Sequence, residues 1–263
     1  MDKKEIAVIV PNYNNEKYII ECVDSILNQT YPIKEIIIYD DASTDGSKDI
    51  LKNLEKLYEN VFVIYGDVNV GVSCARDIAI KKASTPFVTM IDADDFYYDN
   101  MKIANEVEYW DDNTCVFSQV VDVDKNGRLI KSHKLKRLGS NTRFRLVTRL
   151  FGSQCPRDFI FPKDIYLSIG GYRNDMKLFE DWELSLRFLS KCRFVYSGSY
   201  GTAYRHKDYG LSKSNPKEQL KAKKNAFQSN KDVLAYTILE RITFYFLLYI
   251  NYVRAIIRRI IWV

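Results

Sequence analysis

The run Ile6-Ala7-Val8-Ile9-Val10-Pro11-Asn12-Tyr13-Asn14-Asn15 decides the fold. Its apolar residues are continuous rather than alternating, which suits a strand covered on both faces, and Pro11-Asn12 stops it. Working outward, the spacing predicts a helix from about Glu16 to Asn28, with Tyr18, Ile19, Cys22, Val23, Ile26 and Leu27 on one stripe and Tyr31-Pro32 closing it. Glu35–Tyr39 reads as a second strand, and Asp45–Tyr58 as a helix opened by polar capping residues. A third strand at Val61–Tyr65, a helix at Gly71–Lys82 and a fourth strand at Phe87–Ile91 complete the series. This β-α-β-α-β-α-β order implies an α/β fold with a doubly wound, mostly parallel sheet whose ligands sit beyond the carboxyl ends of the strands.

After residue 100 the pattern changes. A helix is expected from Asn100 to Trp110, then a hairpin of Thr114–Val123 and Leu129–His133 around Asp124-Lys125-Asn126-Gly127. A helix at Trp182–Leu189 and strands near Phe194–Tyr196 and Tyr200–Tyr204 follow. Asp232–Val263 is helical in pattern and very apolar, but its longest uncharged core, Ile242–Val253, has twelve residues. Such a core covers about 18 Å, short of the roughly 30 Å of bilayer hydrocarbon.

The 263 residues are 46% hydrophobic and 28% charged, which excludes disorder, collagen and a small disulfide scaffold. The five cysteines lie 37 to 52 residues apart without a C-x-x-C, so they form no zinc knuckle or redox pair and are expected as reduced thiols. Met1–Glu5 is charged and runs directly into a strand pattern, so no signal peptide is expected. Segment 125–149 contributes +9 and segment 217–263 contributes +6 to a total of +5, leaving −10 for the body. An acidic body with two basic appendages does not suit nucleic acid, whose binders line the main groove with positive charge. It suits a protein that holds a cation among carboxylates and meets an anionic partner elsewhere.

Acidic groups fall at the predicted strand ends. Asp40-Asp41 ends the second strand and Asp92-Ala93-Asp94-Asp95 follows the fourth, both on the edge where a doubly wound sheet presents its crevice. Carboxylates spaced i, i+2 can point the same way off an extended segment, and hard oxygen ligands suit Mg²⁺ or Mn²⁺ that also binds phosphate. A receiver domain needs acids where Pro11-Asn12 stands, no G-x-G-x-x-G follows the first strand, and no P-loop sequence occurs. What remains is a nucleotide held by acids, an open loop and a metal.

Val8-Ile9-Val10-Pro11-Asn12-Tyr13-Asn14, Tyr39-Asp40-Asp41-Ala42-Ser43-Thr44-Asp45-Gly46-Ser47, Asn69-Val70-Gly71-Val72-Ser73-Cys74-Ala75-Arg76, Asp92-Ala93-Asp94-Asp95 and Phe179-Glu180-Asp181-Trp182-Glu183 come in the order and spacing of family 2 glycosyltransferases of the GT-A fold. The resemblance covers about residues 5–210. It implies that Pro11, Tyr13 and Asp41 surround a nucleobase, uracil by family habit, and that Arg76 contacts base or diphosphate. It also implies Asp92 toward the ribose, Asp94 on the metal, Asp181 as catalytic base, and His206 near the metal. Asp77 departs from the asparagine the family often has there. Gln154-Cys155-Pro156-Arg157 precedes Asp181 and is followed by Asp158, so it does not match the Q-x-x-R-W of processive synthases, and one transfer per encounter is expected.

The chemistry makes these types sensible. A divalent cation stabilises charge developing on a departing nucleoside diphosphate, and a carboxylate on the opposite face takes the proton of the attacking hydroxyl. A single displacement with inversion is expected, in an enzyme that moves one sugar from a UDP-sugar to a growing envelope glycan (capsule, O-antigen or lipopolysaccharide). The expected division is a nucleotide-sugar-binding half at 1–100, an acceptor and catalytic-base half at 101–215, and a helical, amphipathic segment at 216–263. Expected partners are the nucleotide-sugar donor, a glycan or lipid-linked glycan acceptor, an anionic membrane at the cytoplasmic face, and a second copy of the chain. The alternatives are a nucleotidyltransferase on a related fold, which usually needs a glycine-rich basic loop after the first strand, and a non-catalytic sugar-binding module, which needs no base.

Overall fold

The structure is a computed structural model; it describes residues 4–132, 142–149, 158–207 and 215–261, with side chains as far as residue 257. Gln154–Arg157, His133, much of the basic stretch 125–149, and the side chains of Arg258, Arg259, Ile260, Ile261 and Trp262 lie outside the described residues. The first half contains β1 (Ile6–Asn12), α1 (Ile19–Leu27), β2 (Glu35–Asp40), α2 (Ser47–Leu57), β3 (Val61–Tyr65), α3 (Val72–Lys82) and β4 (Phe87–Met90). Then come β5 (Phe96–Tyr97), α4 (Lys102–Val107), β6 (Thr114–Val123), β7 (Leu129–Ser132), α5 (Thr142–Thr148), β8 (Phe161–Pro162), α6 (Lys163–Ser168) and α7 (Glu180–Phe188). The described chain ends with β9 (Arg193–Arg205), α8 (Pro216–Ser229), α9 (Lys231–Leu234) and α10 (Ile238–Ile261).

The expected doubly wound sheet is present. Its order is β3-β2-β1-β4-β8, parallel through the first four strands and antiparallel at β8. The unbroken apolar run of β1 is explained by its two covered faces. Ala7 and Ile9 join Ala75, Ala79 and Ile80 of α3 in one core, whereas Ile6, Val8 and Val10 join Ile19, Val23 and Ile26 of α1 in another. The order of the strands reverses at β1, with β2 and β3 on one side and β4 on the other, so the carboxyl ends of the parallel β1 and β4, Pro11-Asn12 and the segment after Met90, open on one crevice.

A second sheet, ordered β5-β9-β6-β7, stands beside the first. The two strands expected at 194–196 and 200–204 are one. Phe117 faces Tyr196 and Gln119 faces Tyr200, so β9 carries two more residues than β6 over that stretch and bulges instead of turning. Gly198, at φ 82°, supplies the backbone freedom, and a Cβ on Gly201 would lie 2.6 Å from the Ser118 side chain. The α4 helix carries a buried Lys102–Glu106 ion pair of 2.8 Å and is tied to β6 by Ser118, which donates to Glu106 at 2.5 Å. Burial pushes the Glu106 carboxyl up, and Lys102 opposes that shift.

The C-terminal helices cover the far side of α7. Phe244 of α10 stacks on Phe227 of α8 at 3.9 Å between ring centroids and on Trp182 of α7 at 5.8 Å. Trp182 Nε1 donates to the Leu146 carbonyl of α5 at 2.8 Å, so four helices meet around one indole. Among the described residues no helix is long and apolar enough to cross a membrane. Truncating Phe244 to alanine should cost about 3–5 kcal/mol, the range for a buried aromatic, in urea unfolding of the full chain. A loss below about 1 kcal/mol would mean that α10 does not share the core.

Candidate active site

Two loops after β1 and β2 form the first wall. Asn12, buried at the end of β1, donates from Nδ2 to Asp40 Oδ1 at 2.8 Å, and the Ser43 N–H donates to Asp40 Oδ2 at 3.2 Å. The Asn14 N–H donates to Ser43 Oγ at 2.9 Å, while Asn14 Oδ1 accepts from the Thr44 N–H at 2.8 Å. Asn14 and Ala42 take left-handed φ values of 54° and 58°, which asparagine tolerates better than alanine. Asp41 is buried and fixes a third loop, its oxygens accepting the N–H groups of Val70 at 2.7 Å and Gly71 at 2.9 Å. Of the residues expected around a nucleobase, Pro11 is buried in the strand end, Asp41 floors the crevice and Tyr13 stands exposed at its rim.

The segment after β4 gathers three acids. One oxygen each from Asp92, Asp94 and Asp95 lies within 4.8 Å of the others. An all-oxygen, carboxylate donor set of this kind fits Mg²⁺ or Mn²⁺. The end of β9 clamps the same segment. The Arg205 N–H donates to Asp95 Oδ1 at 2.8 Å and Arg205 Nε to the Asp94 carbonyl at 2.7 Å. Two residues on, Lys207 Nζ approaches Asp94 Oδ2 to 2.5 Å. His206, expected near the metal, has its Nε2 3.2 Å from Asp122 and its ring edge-on to Tyr204, while Lys207 is the residue beside Asp94.

Arg76, expected to contact base or diphosphate, is engaged by acids of the protein itself. Its guanidinium is buried among acids from two distant segments: Nη2 lies 2.5 Å from Asp92, while Nη1 lies 3.0 Å from Glu180 and 2.6 Å from Asp181. Burial would lower its pKa, but Asp181 and Asp92 prevail and hold it well above its ordinary value, a fixed cation. One side chain thus joins the acids after β4 to the start of α7. Both Glu180 and Asp181 lie in the first turn of that helix, whose N-terminus favours their anionic forms. Glu180 nevertheless has its pKa raised to about 7, first by burial and then by the charge of Asp181, with Arg76 opposing. Phe179, just before the helix, sits at φ 61°, a strained value for a residue with a Cβ, and the Arg149 guanidinium lies 4.7 Å over its ring.

The same network accounts for Asp77. The Tyr166 hydroxyl donates to Asp77 Oδ1 at 2.7 Å and accepts from the Tyr172 N–H at 3.0 Å. A Cβ on Gly171, at φ 65°, would come within 2.5 Å of Asp77, so this turn requires glycine. The Tyr172 hydroxyl then reaches Asp181 Oδ1 at 3.3 Å, with Arg76 lying 5.7 Å over its ring. The amide of an asparagine could keep only part of this arrangement. Tyr166 and Lys207 are participants that sequence reading missed, whereas Gly170-Gly171-Tyr172 is visible in the sequence as a turn or as a loop touching donor or acceptor.

The Glycosyl transferase family 2 model matches residues 7–169. The chain is 39% identical over 116 residues to the putative teichuronic acid biosynthesis glycosyltransferase TuaG of Bacillus subtilis, covering 44% of this chain and 46% of that one. It is 47% identical over 95 residues to a poly(ribitol-phosphate) beta-glucosyltransferase of Bacillus spizizenii, covering 35% of this chain and 15% of that protein. It therefore spans less than half the length of these relatives. Among solved structures, S. aureus TarS 1–349 in complex with UDP-GlcNAc superposes with a TM-score of 0.65 at 20% identity, over 91% of this chain and 78% of that one. The mannosyltransferase PcManGT from Pyrobaculum calidifontis, in complex with GDP-Man and Mn²⁺, gives 0.56 at 21% identity, over 74% of this chain and 55% of that one. These likenesses show the fold, the GT-A type expected from the motifs.

Lys207 competes for Asp94 with any cation that enters the acid cluster. Lys207→Met should tighten Mn²⁺ binding to the nucleotide-free protein by about ten-fold, because an ammonium at ion-pair distance no longer has to be displaced. Titration of free Mn²⁺ by electron paramagnetic resonance reads this directly; unchanged or weaker binding would show that the ammonium does not occupy the cation's place.

Proposed function

The chain belongs to glycosyltransferase family 2, and from that premise we propose that it moves one sugar, with inversion, from a nucleotide-sugar to a hydroxyl of a growing envelope glycan. The observation that carries this reading is the single guanidinium of Arg76 between Asp92 and Asp181, since it puts a donor-side acid and a candidate base in one crevice. Asp181 is the proposed base. It sits at a helix N-terminus beside Arg76, and the Tyr172 hydroxyl orients the same oxygen that Arg76 holds, so its carboxylate is fixed in direction while it accepts a proton from the attacking hydroxyl. Glu180 shares the counter-charge and tempers it. With its pKa at about 7 it is partly protonated near neutrality, which leaves more of Arg76's charge to Asp181.

Asp94, with Asp92 and Asp95, would hold a divalent cation, and such a cation supplies Lewis-acid stabilisation to a departing diphosphate. The loops at Pro11, Tyr13 and Asp41 are the proposed nucleobase site, and Asp92 the proposed ribose contact. Uridine is supported by the UDP and UDP-GlcNAc complexes of TarS. An envelope acceptor is supported by the teichuronic acid and poly(ribitol-phosphate) enzymes among the relatives. In this reading residues 1–100 serve the donor, residues 101–215 serve the acceptor, and the enzyme works at the cytoplasmic face of the membrane. A nucleotidyltransferase is less well supported, because no glycine-rich basic loop follows β1.

Asp181→Asn keeps the shape but cannot take a proton, so transfer should fall by roughly 10²-fold or more while donor affinity stays near normal. Single-turnover transfer from UDP-sugars, alongside calorimetric donor binding, separates the two. Weakened donor binding with intact turnover would reassign Asp181 to a binding role.

A further inference from the structure

The α10 helix has two apolar faces, and the fold uses only one. Phe244 and Leu248 are buried against α8 and α7, and Glu240, buried beside them, pairs with Arg143 of α5 at 3.2 Å. On the opposite side Ile238, Ile242, Phe246, Tyr249, Val253 and Ile256 are 36–79% exposed. At 3.6 residues per turn these six fall within an arc of about 80°, a continuous stripe along roughly five turns. A contiguous apolar strip of that length is unusual on a free protein surface.

The charges beside the stripe say what covers it. Arg241 and Arg254 are exposed and lie on opposite margins, about 60° and about 80° beyond the edges of the arc. Glu240 is the helix's one acid in the sequence and it is buried on the far face, so among the described residues the outward surface of α10 carries cations and no carboxylate. Residues 217–263 as a whole contribute +6. Two copies meeting face to face through this stripe would bring like charges together along both seams. A sheet of lipid phosphates over a hydrocarbon layer satisfies both features at once: the apolar side chains enter the acyl boundary and the guanidinium groups stay at headgroup level. Tyr249, with an apolar ring and a polar tip, belongs at the same depth.

We propose that this outward face of α10 docks the protein in-plane on an anionic lipid surface. The helix does not cross the bilayer, since its other face belongs to the protein core. The inference stands apart from the reading of the catalytic crevice, for none of these residues takes part in it.

Flotation of the full chain with vesicles tests it, comparing phosphatidylcholine alone with phosphatidylcholine containing phosphatidylglycerol. The wild type should float with the anionic vesicles and at least about ten-fold less with the neutral ones, with binding weakening as salt is raised. The paired variants I242E/F246E and R241E/R254E should each lose at least about ten-fold of that binding, since one removes insertion and the other reverses the charge match. Both alter exposed positions, and unchanged circular dichroism and melting would establish that they fold. Failure of the wild type to float, or undiminished binding by both folded variants, overturns the proposal. So does a wild-type dimer in lipid-free light scattering that I242E/F246E converts to a monomer, because the stripe is then a self-interface.

Discussion

Burying the Arg76 guanidinium is tolerable only because carboxylates from two distant parts of the chain meet it, and the crevice is arranged around that requirement. An arginine cannot shed its charge by deprotonation, so unpaired burial would be strongly unfavourable. Asp92 comes from the end of the parallel sheet, and Glu180 and Asp181 from the start of α7, more than a hundred residues later in sequence than Arg76. The ion pairs therefore do more than balance charge. They set the position of α7 against the sheet, and with it the direction of the Asp181 carboxylate.

The surroundings reinforce the same register. Asp77, next to Arg76 on α3, holds Tyr166; Tyr166 holds the Gly171-Tyr172 turn; and Tyr172 returns to Asp181. On the other side, Arg205 grips the loop of acids after β4, and Lys207 supplies a cation to Asp94. Two separate cations thus divide the acids of the crevice. Arg76 is enclosed by acids from two segments, whereas Lys207 reaches Asp94 alone from the end of a long unbranched stem.

Much of this was legible in the sequence, for physical reasons that differ by element. Strands β3 and β6 have the bounds their residue patterns predict, because the apolar run of β3 and the turn signal Asp124-Lys125-Asn126-Gly127 closing β6 have few alternative readings. The acids at strand ends were visible for a similar reason: topology alone sends the carboxyl edge of a parallel sheet to the crevice. What stayed hidden depends on contacts between distant residues. Lys102 and Glu106 resemble an ordinary solvated i, i+4 pair, and only the docking of α4 on β6 buries them. Arg76 offers no local sign that its partners are acids rather than a ligand. The bulge in β9 reads as a break between two strands because glycine marks both. The apolar character of α10 was plain, but which face meets the core could be known only from the packing of Phe227, Trp182 and Phe244.

The claim that Arg76 organises the crevice by charge is tested most directly by the pH dependence of stability in Arg76→Met compared with wild type. Without the guanidinium, Asp92, Glu180 and Asp181 would carry their charges uncompensated in the folded protein, so folding is penalised wherever they are ionised. Stability lost in this way is absent at low pH and grows as pH climbs through the carboxylate range. Urea unfolding should give a gap that is small near pH 4 and widens to about 3–5 kcal/mol by pH 7, the range for breaking a buried ion pair. A gap of constant size across that interval would contradict the account, because the arginine would then be acting through its packing and not its charge.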